Sequence, residues 1–404
     1  MKLLYISSLF SGLENTFVYN QWSPKGVPTV YNFLKKLNLF FPQSEAVFFT
    51  NNNEILKKKN YYISEYNLNC HFIYHYKGNN KFLRIYNYIY KLIKLMFICF
   101  KINPRFCYFD RSNLLLLFFF KIFTNRIVIW RLMGIPLPMH KFYSKKSINS
   151  KLIKLFLKLK INLVICTQDG SGGGEWMDKY LNQKTKKVLL INGFDKYFTT
   201  DEFTNINYHF LFNKKFMNIL FVSRLVEGKG CMEFIDTIIK LVNAKYLDLR
   251  YIIIGDGYLK NKMIKTLNDN NMSKYVTFAG SMPHNEVIKS YKFADIYVSL
   301  NEMGSLINTN LEAIKSNSCI IIPKSLNKFN IDKYTDSLLP DNSVIRISRK
   351  NISYNLFEKI KLLYNDRTKI KFMKENIESL DKSFIGSWDD RIFREYEIIK
   401  NLIK

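Results

Sequence analysis

Two successive doubly wound α/β domains, each on a largely parallel sheet, are what this sequence predicts. Three observations predict them. The chain has 404 residues, and a single core stops growing near that size, so two domains of about 200 residues each are expected. Short apolar runs alternate with helix-period segments through both halves, the pattern of βαβ units. In the second half these runs end on glycines or cations just before the next helix, as after Val222, Ile254 and Phe278. Ligands of open α/β sheets sit outside such strand carboxyl ends. Two domains of this kind, facing each other, would hold one cleft between them.

In chain order, Met1-Lys2 leads straight into LLYISSLF, which reads as a first strand (Lys2–Ser7) and not as a secretory leader. A loop with Lys25-Gly26-Val27 precedes a helix at about Thr29–Leu37. Strands follow at about Glu45–Phe49 and within HFIYHY (71–76), and then the long aromatic segment Phe82–Phe100, which carries Arg84, Lys91 and Lys94. YFD (108–110) ends a strand, Leu114–Phe123 is a helix and RIVIWRL (126–132) another strand. Tyr143–Lys160 reads as one amphipathic helix with Lys151, Lys154 and Lys158 on one face. LVIC (163–166), a glycine-rich loop (Gly170–Gly174), a helix from Glu175 and VLLINGFD (188–195) close the half, and residues about 200–216 read as a linker. Beyond it, strands at Asn218–Val222, Arg250–Ile254, Val276–Phe278, Ile296–Ser299 and Cys319–Ile322 alternate with helices near Cys231–Asn243, Tyr258–Asn268, Asn285–Tyr291 and Leu311–Ser316. The domains are therefore expected at 1–200 and 201–385, with a final helical segment at 386–404.

Composition narrows the class. Hydrophobic residues make up 48% and charged residues 23%, enough apolar material for a globular core. The six cysteines and five histidines are scattered, with no C-x-x-C, so reduced thiols in a cytosolic protein are expected and no metal cluster is indicated. The longest unbroken apolar run, Leu114–Phe120, is too short to span a bilayer. A soluble or surface-bound cytoplasmic protein is expected.

The net charge of +28 is uneven: residues 51–160 hold 21 Lys and Arg against 3 Asp and Glu. AT-rich coding accounts for part of the excess but not for its concentration. A local basic surface attracts a polyanion. Phe82–Phe100 and Ser144–Lys160 join lysines to large apolar residues, the composition of an interfacial helix on anionic lipid. A solvated basic face is the other reading. Nucleic acid is not expected, because no zinc-finger, RNA-recognition or helix-turn-helix pattern accompanies the charge.

Four stretches carry the candidate chemistry. In FVSRLVEGKG (221–230) a strand end projects Arg224 and Lys229 towards a helix start; this is a diphosphate site or a solvated basic loop. IIIGDGYL (252–259) has Gly255 and Gly257 at a strand end, most simply a βα turn. Gly280-Ser281 follows VTFA. YVSLNEMGSLINTNLEAIKSNSCIIIP (297–323) reads as strand, loop, helix and strand, with Glu312 in the expected first helical turn. It is either a phosphate-plus-hydroxyl site at a helix N-terminus or an ordinary crossover.

The ordered set SRLVEGKG (223–230), GDG (255–257), VTFAG (276–280), YKFADIYVS (291–299) and NTNLEAIKSN (308–317) resembles the retaining family 4 glycosyltransferases of the GT-B architecture (glycosyl transferases group 1). INGFD (191–195) and SWDDR (387–391) match further family segments. The resemblance covers about residues 185–404. It implies a nucleotide-sugar donor, UDP- or GDP-linked, as substrate, with no cofactor. Arg224 and Lys229 would bind the donor diphosphate and offset charge on the leaving group. Glu312 would accept hydrogen bonds from the ribose hydroxyls. Backbone amides at Leu306, Ile307 and Asn308 would contact phosphate, Gly26 would let backbone approach the donor, and Gly257 and Ser281 would line the donor site. The final helix would cross back onto the N-terminal domain.

Two positions depart from the family pattern. Gly304 stands eight residues before Glu312, where the family has a glutamate, and Glu302 is out of register. IVIWRLMG carries Arg131 where many members have a catalytic histidine, and the next histidine is His140. Both departures resemble a bacterial surface-polysaccharide branch whose loop reads Gly-x-x-x-Asn-x-x-x-Glu. No D-x-D occurs, so a metal-independent enzyme is implied, with a lipid-linked oligosaccharide acceptor at the inner face of the cell membrane. A catalytically inactive GT-B-like protein that binds a membrane or another polyanion is the alternative.

Overall fold

The computed structural model describes residues 1–404 except 25, 79, 112, 113, 146, 195–210 and 404, and within helices the side chains of residues 11, 148, 149 and 152 are likewise left out of the description. Asp195 and most of the expected linker thus lie outside the described residues. The chain forms two compact units. One comprises Met1–Gln168, Gly173–Gly193 and Trp388–Lys404, the other Asp169–Gly172 and Phe194–Ser387. The main division falls at 193/194 and not at 200/201, and four residues of the glycine-rich loop join the second unit. They do so because their backbone packs against residues 304–332, as described below.

The first unit contains strands β1 (Leu3–Ser8), β2 (Glu45–Thr50), β3 (Asn60–Ile63), β4 (Leu68–Tyr74), β5 (Phe106–Asp110), β6 (Ile127–Leu132), β7 (Leu163–Thr167) and β8 (Lys186–Leu190). They form one sheet in the order β3-β4-β2-β1-β5-β6-β7-β8. Pairing is parallel throughout except between β3 and β4. The central strands are buried on both faces, which is why they read as continuous apolar runs without alternation.

The second unit contains β9 (Met217–Val222), β10 (Leu249–Ile254), β11 (Val276–Gly280), β12 (Ile296–Val298), β13 (Ile320–Pro323) and β14 (Ile345–Ile347). The order β11-β10-β9-β12-β13-β14 is parallel throughout. Strand order reverses between β9 and β12, so their carboxyl ends form the topological switch point where open α/β sheets hold ligands. Val222 lies opposite Ile254 and Phe221 opposite Val298, which brings the three carboxyl ends level. The sequence did not reveal β14, a three-residue strand too short to show any period.

Two helical segments lie in the basic window, and the first differs from expectation. Tyr143–Lys160 is not one helix: Leu137–Ser144 ends, Lys145 is extended, and Ile148–Leu157 begins anew. The Ser147 hydroxyl caps the second helix by accepting from the Ser150 N–H at 3.3 Å, and Ser150 Oγ donates to the Lys145 carbonyl at 2.6 Å. These local bonds compete with helix continuation. Lys154 and Lys158 also turn their ammonium groups onto the carbonyls of Lys145 and Leu181, so the lysine face is partly spent on the fold.

The other segment is the 22-residue helix Lys81–Ile102. It buries the stripe Asn87, Lys91, Leu95, Cys99 and Ile102, one helical face at i, i+4 spacing. Its opposite face leaves Phe82, Ile85, Tyr86, Ile89, Ile93, Phe97 and Phe100 exposed. No helix among the described residues is long and apolar enough to cross a membrane.

The helix Trp388–Lys400 belongs to the first unit and packs on the helix Pro28–Phe40, where the rings of Phe40 and Tyr396 stack at 4.6 Å. Its Glu395 enters a buried charged cluster. Glu395 accepts from the Tyr108 hydroxyl and from Arg391, and Arg131 Nη1 lies 3.5 Å from Asp110 Oδ1. Burial opposes ionisation of Glu395, yet Arg391 and Arg131 outweigh it and hold its carboxyl below the usual range. Burial would likewise depress Arg131, and Tyr108, Glu395 and Asp110 reverse that. Arg131 is therefore a charged structural residue and cannot act as a base where the family pattern has its histidine.

Candidate functional site

The second unit gathers the candidate residues at the carboxyl ends of β9, β10, β11 and β12. After β9 the loop 223–230 carries Arg224, exposed, and Lys229, partly buried. The Gly230 backbone is left-handed (φ 70°), and a Cβ there would stand 2.2 Å from the Leu300 Cβ. Only glycine lets this loop lie against the end of β12. Lys229 Nζ donates to Asn301 Oδ1 at 2.7 Å, and the Asn301 amide donates onward to the Gly304 carbonyl at 2.5 Å. Burial, with Arg224 adding to it, lowers the Lys229 ammonium below its ordinary range, while Asp169 acts in the opposite sense. A cation depressed in this way gains most from a nearby anion.

Gly257 lies where β10 turns back under β9. A Cβ there would meet the Leu225 carbonyl at 2.3 Å, and Leu225 and Asp256 share a backbone bond of 2.9 Å. Its role in this fold is thus close backbone approach. Ser281, exposed, follows Gly280 at the end of β11. Gly26, in the first unit, has φ 83° with nothing within 4 Å of a Cβ, so conformation and not crowding selects glycine there.

The loop after β12 differs from expectation in two respects. The helix opens at Asn308, with Ile307 as its N-cap, so Glu312 sits in the second turn and not the first. Leu306, fully buried, donates its N–H to the Asp169 carbonyl at 3.1 Å, which removes it from the amides that could meet a phosphate. Ile307 and Asn308 stay at the helix N-terminus. Glu312 is 6% exposed, its Oε1 lying 2.8 Å from His284 Nε2 and its Oε2 accepting from the Tyr291 hydroxyl at 3.4 Å. His284 begins the helix His284–Phe293 after β11, and its side chain is 45% exposed, so the Glu312–His284 pair reaches solvent on one side.

Sequence reasoning missed the residues that hold this loop in place. Asp332 accepts from Ser305 N–H at 2.6 Å, Ser305 Oγ at 2.9 Å and Thr335 Oγ1 at 2.8 Å, and pairs with Arg349 at 3.0 Å. Arg349 also donates to the Glu302 carbonyl at 2.9 Å. From the other side comes the glycine-rich loop: Asp332 donates its N–H to the Gly170 carbonyl at 2.7 Å. These partners are far apart in sequence, and no local signal marks them.

This packing explains the missing glutamate. Gly304 has φ 117°, and a Cβ there would stand 2.4 Å from the Asp169 carbonyl. No side chain fits at that position. We expect Gly304→Glu, which would install the family residue, to destabilise the unit by about 1–3 kcal/mol through backbone strain alone, read as a lower urea midpoint. An unchanged midpoint would contradict the packing.

Asp169 brings the carboxylate that position 304 lacks into the same region. Its Oδ1 accepts from the Ser171 N–H at 3.0 Å. Burial, with the Asp332 charge adding to it, raises its carboxyl from the ordinary 3.8 to about 6. A folded-state value above the unfolded one means that the native chain holds the proton to higher pH. The stability contributed is full below 3.8 and is lost as pH rises through about 6. Asp169→Asn should flatten that decline in urea titrations across the window.

The chain resembles known proteins in sequence and in fold. Residues 203–350 match the family model described as glycosyl transferases group 1. An uncharacterized glycosyltransferase of Methanocaldococcus jannaschii is 30% identical over 208 residues, 50% of this chain and 49% of the relative. The alpha-monoglucosyldiacylglycerol synthase of Acholeplasma laidlawii is 28% identical over 110 residues, 27% of each chain. The chain thus spans about half the length, or less, of these curated relatives. Among solved structures, Anabaena HepE in complex with UDP-glucose superposes with a TM-score of 0.69 at 13% identity, over 99% of this chain and 100% of that one. The fold is that of the GT-B glycosyltransferases, two Rossmann-like α/β domains with parallel sheets.

Proposed function

We propose that the protein is a retaining, metal-independent glycosyltransferase that moves a sugar from a UDP- or GDP-linked donor to a lipid-linked glycan in cell-surface polysaccharide assembly. The observation that carries this reading is the placement of Arg224 and half-buried Lys229 at the carboxyl end of β9, beside the loop after β12, within the segment that matches the family model. The two cations would bind the diphosphate and offset the charge that develops as it leaves. Ile307 and Asn308 at the helix N-terminus would add backbone donors, and Glu312 would meet the ribose on the side where its partner His284 reaches solvent. In a front-side reaction the leaving phosphate itself takes the acceptor proton, so no side-chain base is required at Arg131. That HepE was solved with UDP-glucose supports a nucleotide-sugar donor.

The lipid-linked acceptor and the membrane location rest on the first unit. The exposed apolar face of Lys81–Ile102 lies in a strongly basic segment, the chemistry of a peripheral contact with anionic lipid at the inner face of the membrane. The name of the Acholeplasma laidlawii relative, a synthase of a glycolipid, is in keeping with it.

Nucleotide protection tests the donor reading. UDP or GDP should raise the thermal midpoint, and Lys229→Ala or Glu312→Ala should abolish the rise. No shift with either nucleotide would overturn it in favour of a GT-B-like protein without transferase activity.

A further inference from the structure

At the carboxyl edge of the first sheet, β4 runs out into residues 75–78, and the helix Lys81–Ile102 folds back over them. Between the two lies a cavity of about 390 Å³ whose lining includes His75, Lys77, Arg84, Asn87, Tyr88 and Lys91, with no carboxylate among the described residues. Lys91 is 1% exposed. Its ammonium group contacts His75 Nδ1 and lies 5.0 Å from the Phe49 ring centroid and 5.7 Å from that of Tyr88. None of these partners carries negative charge. Burial pushes Lys91 down to about 8, and burial with Lys91 and Lys77 pushes His75 down to about 4. A buried cation without a counter-ion is costly, and the fold nevertheless fixes this one firmly. Asn87, its amide turned to donate to the Tyr74 carbonyl and to accept from the Tyr76 N–H, ties the loop to the helix. Arg84 Nε donates to the Gly78 carbonyl at 2.7 Å.

The helix that supplies Lys91 also carries the exposed row of Phe82, Tyr86, Ile89 and Ile93. A cationic cavity beside an apolar face matches an amphiphile with an anionic head. We propose that this cavity is a phosphate-binding site, occupied by the phosphate or diphosphate of an anionic lipid whose chains rest on the exposed face of the same helix. The lipid as source rests on the membrane reading above; the phosphate chemistry does not.

The test uses the full chain carrying Lys229→Ala, so that the donor loops contribute little. Calorimetric titration with inorganic pyrophosphate should show binding, and the protein should float with phosphatidylcholine vesicles that contain phosphatidic acid. Lys91→Met, which removes the charge but keeps an apolar side chain, should weaken both by about ten- to a hundredfold, the worth of a charged hydrogen bond. Lys77→Glu at the exposed rim should act in the same direction without risk to the core. Absence of pyrophosphate binding, or binding unchanged by both substitutions, would overturn the site. Loss of pyrophosphate binding with flotation unchanged would keep the phosphate site and overturn the lipid as its source. UDP protection of the otherwise unmodified chain should survive Lys91→Met, so a failure here is distinguishable from a failure of the donor reading.

Discussion

Lys229→Ala is expected to lower turnover by about a hundred- to a thousandfold, the usual loss when one preorganised group facing transition-state charge is removed. The measurement is kcat with the nucleotide sugar that protects the fold best. Lys229 is placed for this effect: it is partly buried and fixed by Asn301 at 2.7 Å, so little reorganisation accompanies charge development. Its lowered pKa is a direct result of burial and of Arg224, and a bound diphosphate would reverse it. Arg224 is exposed and has more freedom, so Arg224→Ala should cost less than Lys229→Ala. Equal turnover of Lys229→Ala and the unmodified protein would remove the electrostatic role assigned to the loop.

Glu395→Ala is expected to cost about 3–5 kcal/mol of stability, the penalty for breaking a buried ion pair from one side, measured by urea unfolding. Glu395 is 1% exposed and Arg391 3% exposed, so removal of the carboxylate strands the Arg391 guanidinium in low dielectric and leaves Arg131 with Asp110 as its ion-pair partner. Tyr108→Phe removes one neutral partner and should cost about 1 kcal/mol. The contrast between the two separates the charge from the hydrogen bond. Because Glu395 lies on the last helix, a large effect would also show that this helix is integral to the first unit. A cost for Glu395→Ala below that of Tyr108→Phe would mean that the cluster is not held by charge.

Much of the fold was legible in the sequence because its period is local. The helix Cys231–Asn243 and the strands from Met217 to Ile254 were readable from apolar runs bounded by glycine and charge. The break at Lys145 was not, since it depends on Ser147 choosing a cap over an uninterrupted helix. The start of the helix at Asn308 was misread for a similar reason: Asn308, Thr309 and Asn310 have weak helix propensity, and the bond from the Asn310 amide to the Ser305 carbonyl at 3.0 Å, which ties the helix to the loop before it, is not a periodic feature.

For the candidate site, residue order in the sequence was enough to nominate Arg224, Lys229 and Glu312, because a strand end, a turn and a helix start are successive in the chain. Their environment was decided by tertiary structure alone. Asp169 and Asp332 come to the loop across more than a hundred residues in one case and from a later helix cap in the other, and they occupy the Leu306 amide and fix Ser305. Gly304 shows the division most clearly. The sequence by itself determined that a glycine stands where a glutamate was expected; only the packing of the Asp169 carbonyl at 2.4 Å from its missing Cβ decided that nothing larger could. Local composition sets which residues can turn, cap or carry charge, whereas steric room and counter-charge are properties of neighbours that the chain brings together only when folded.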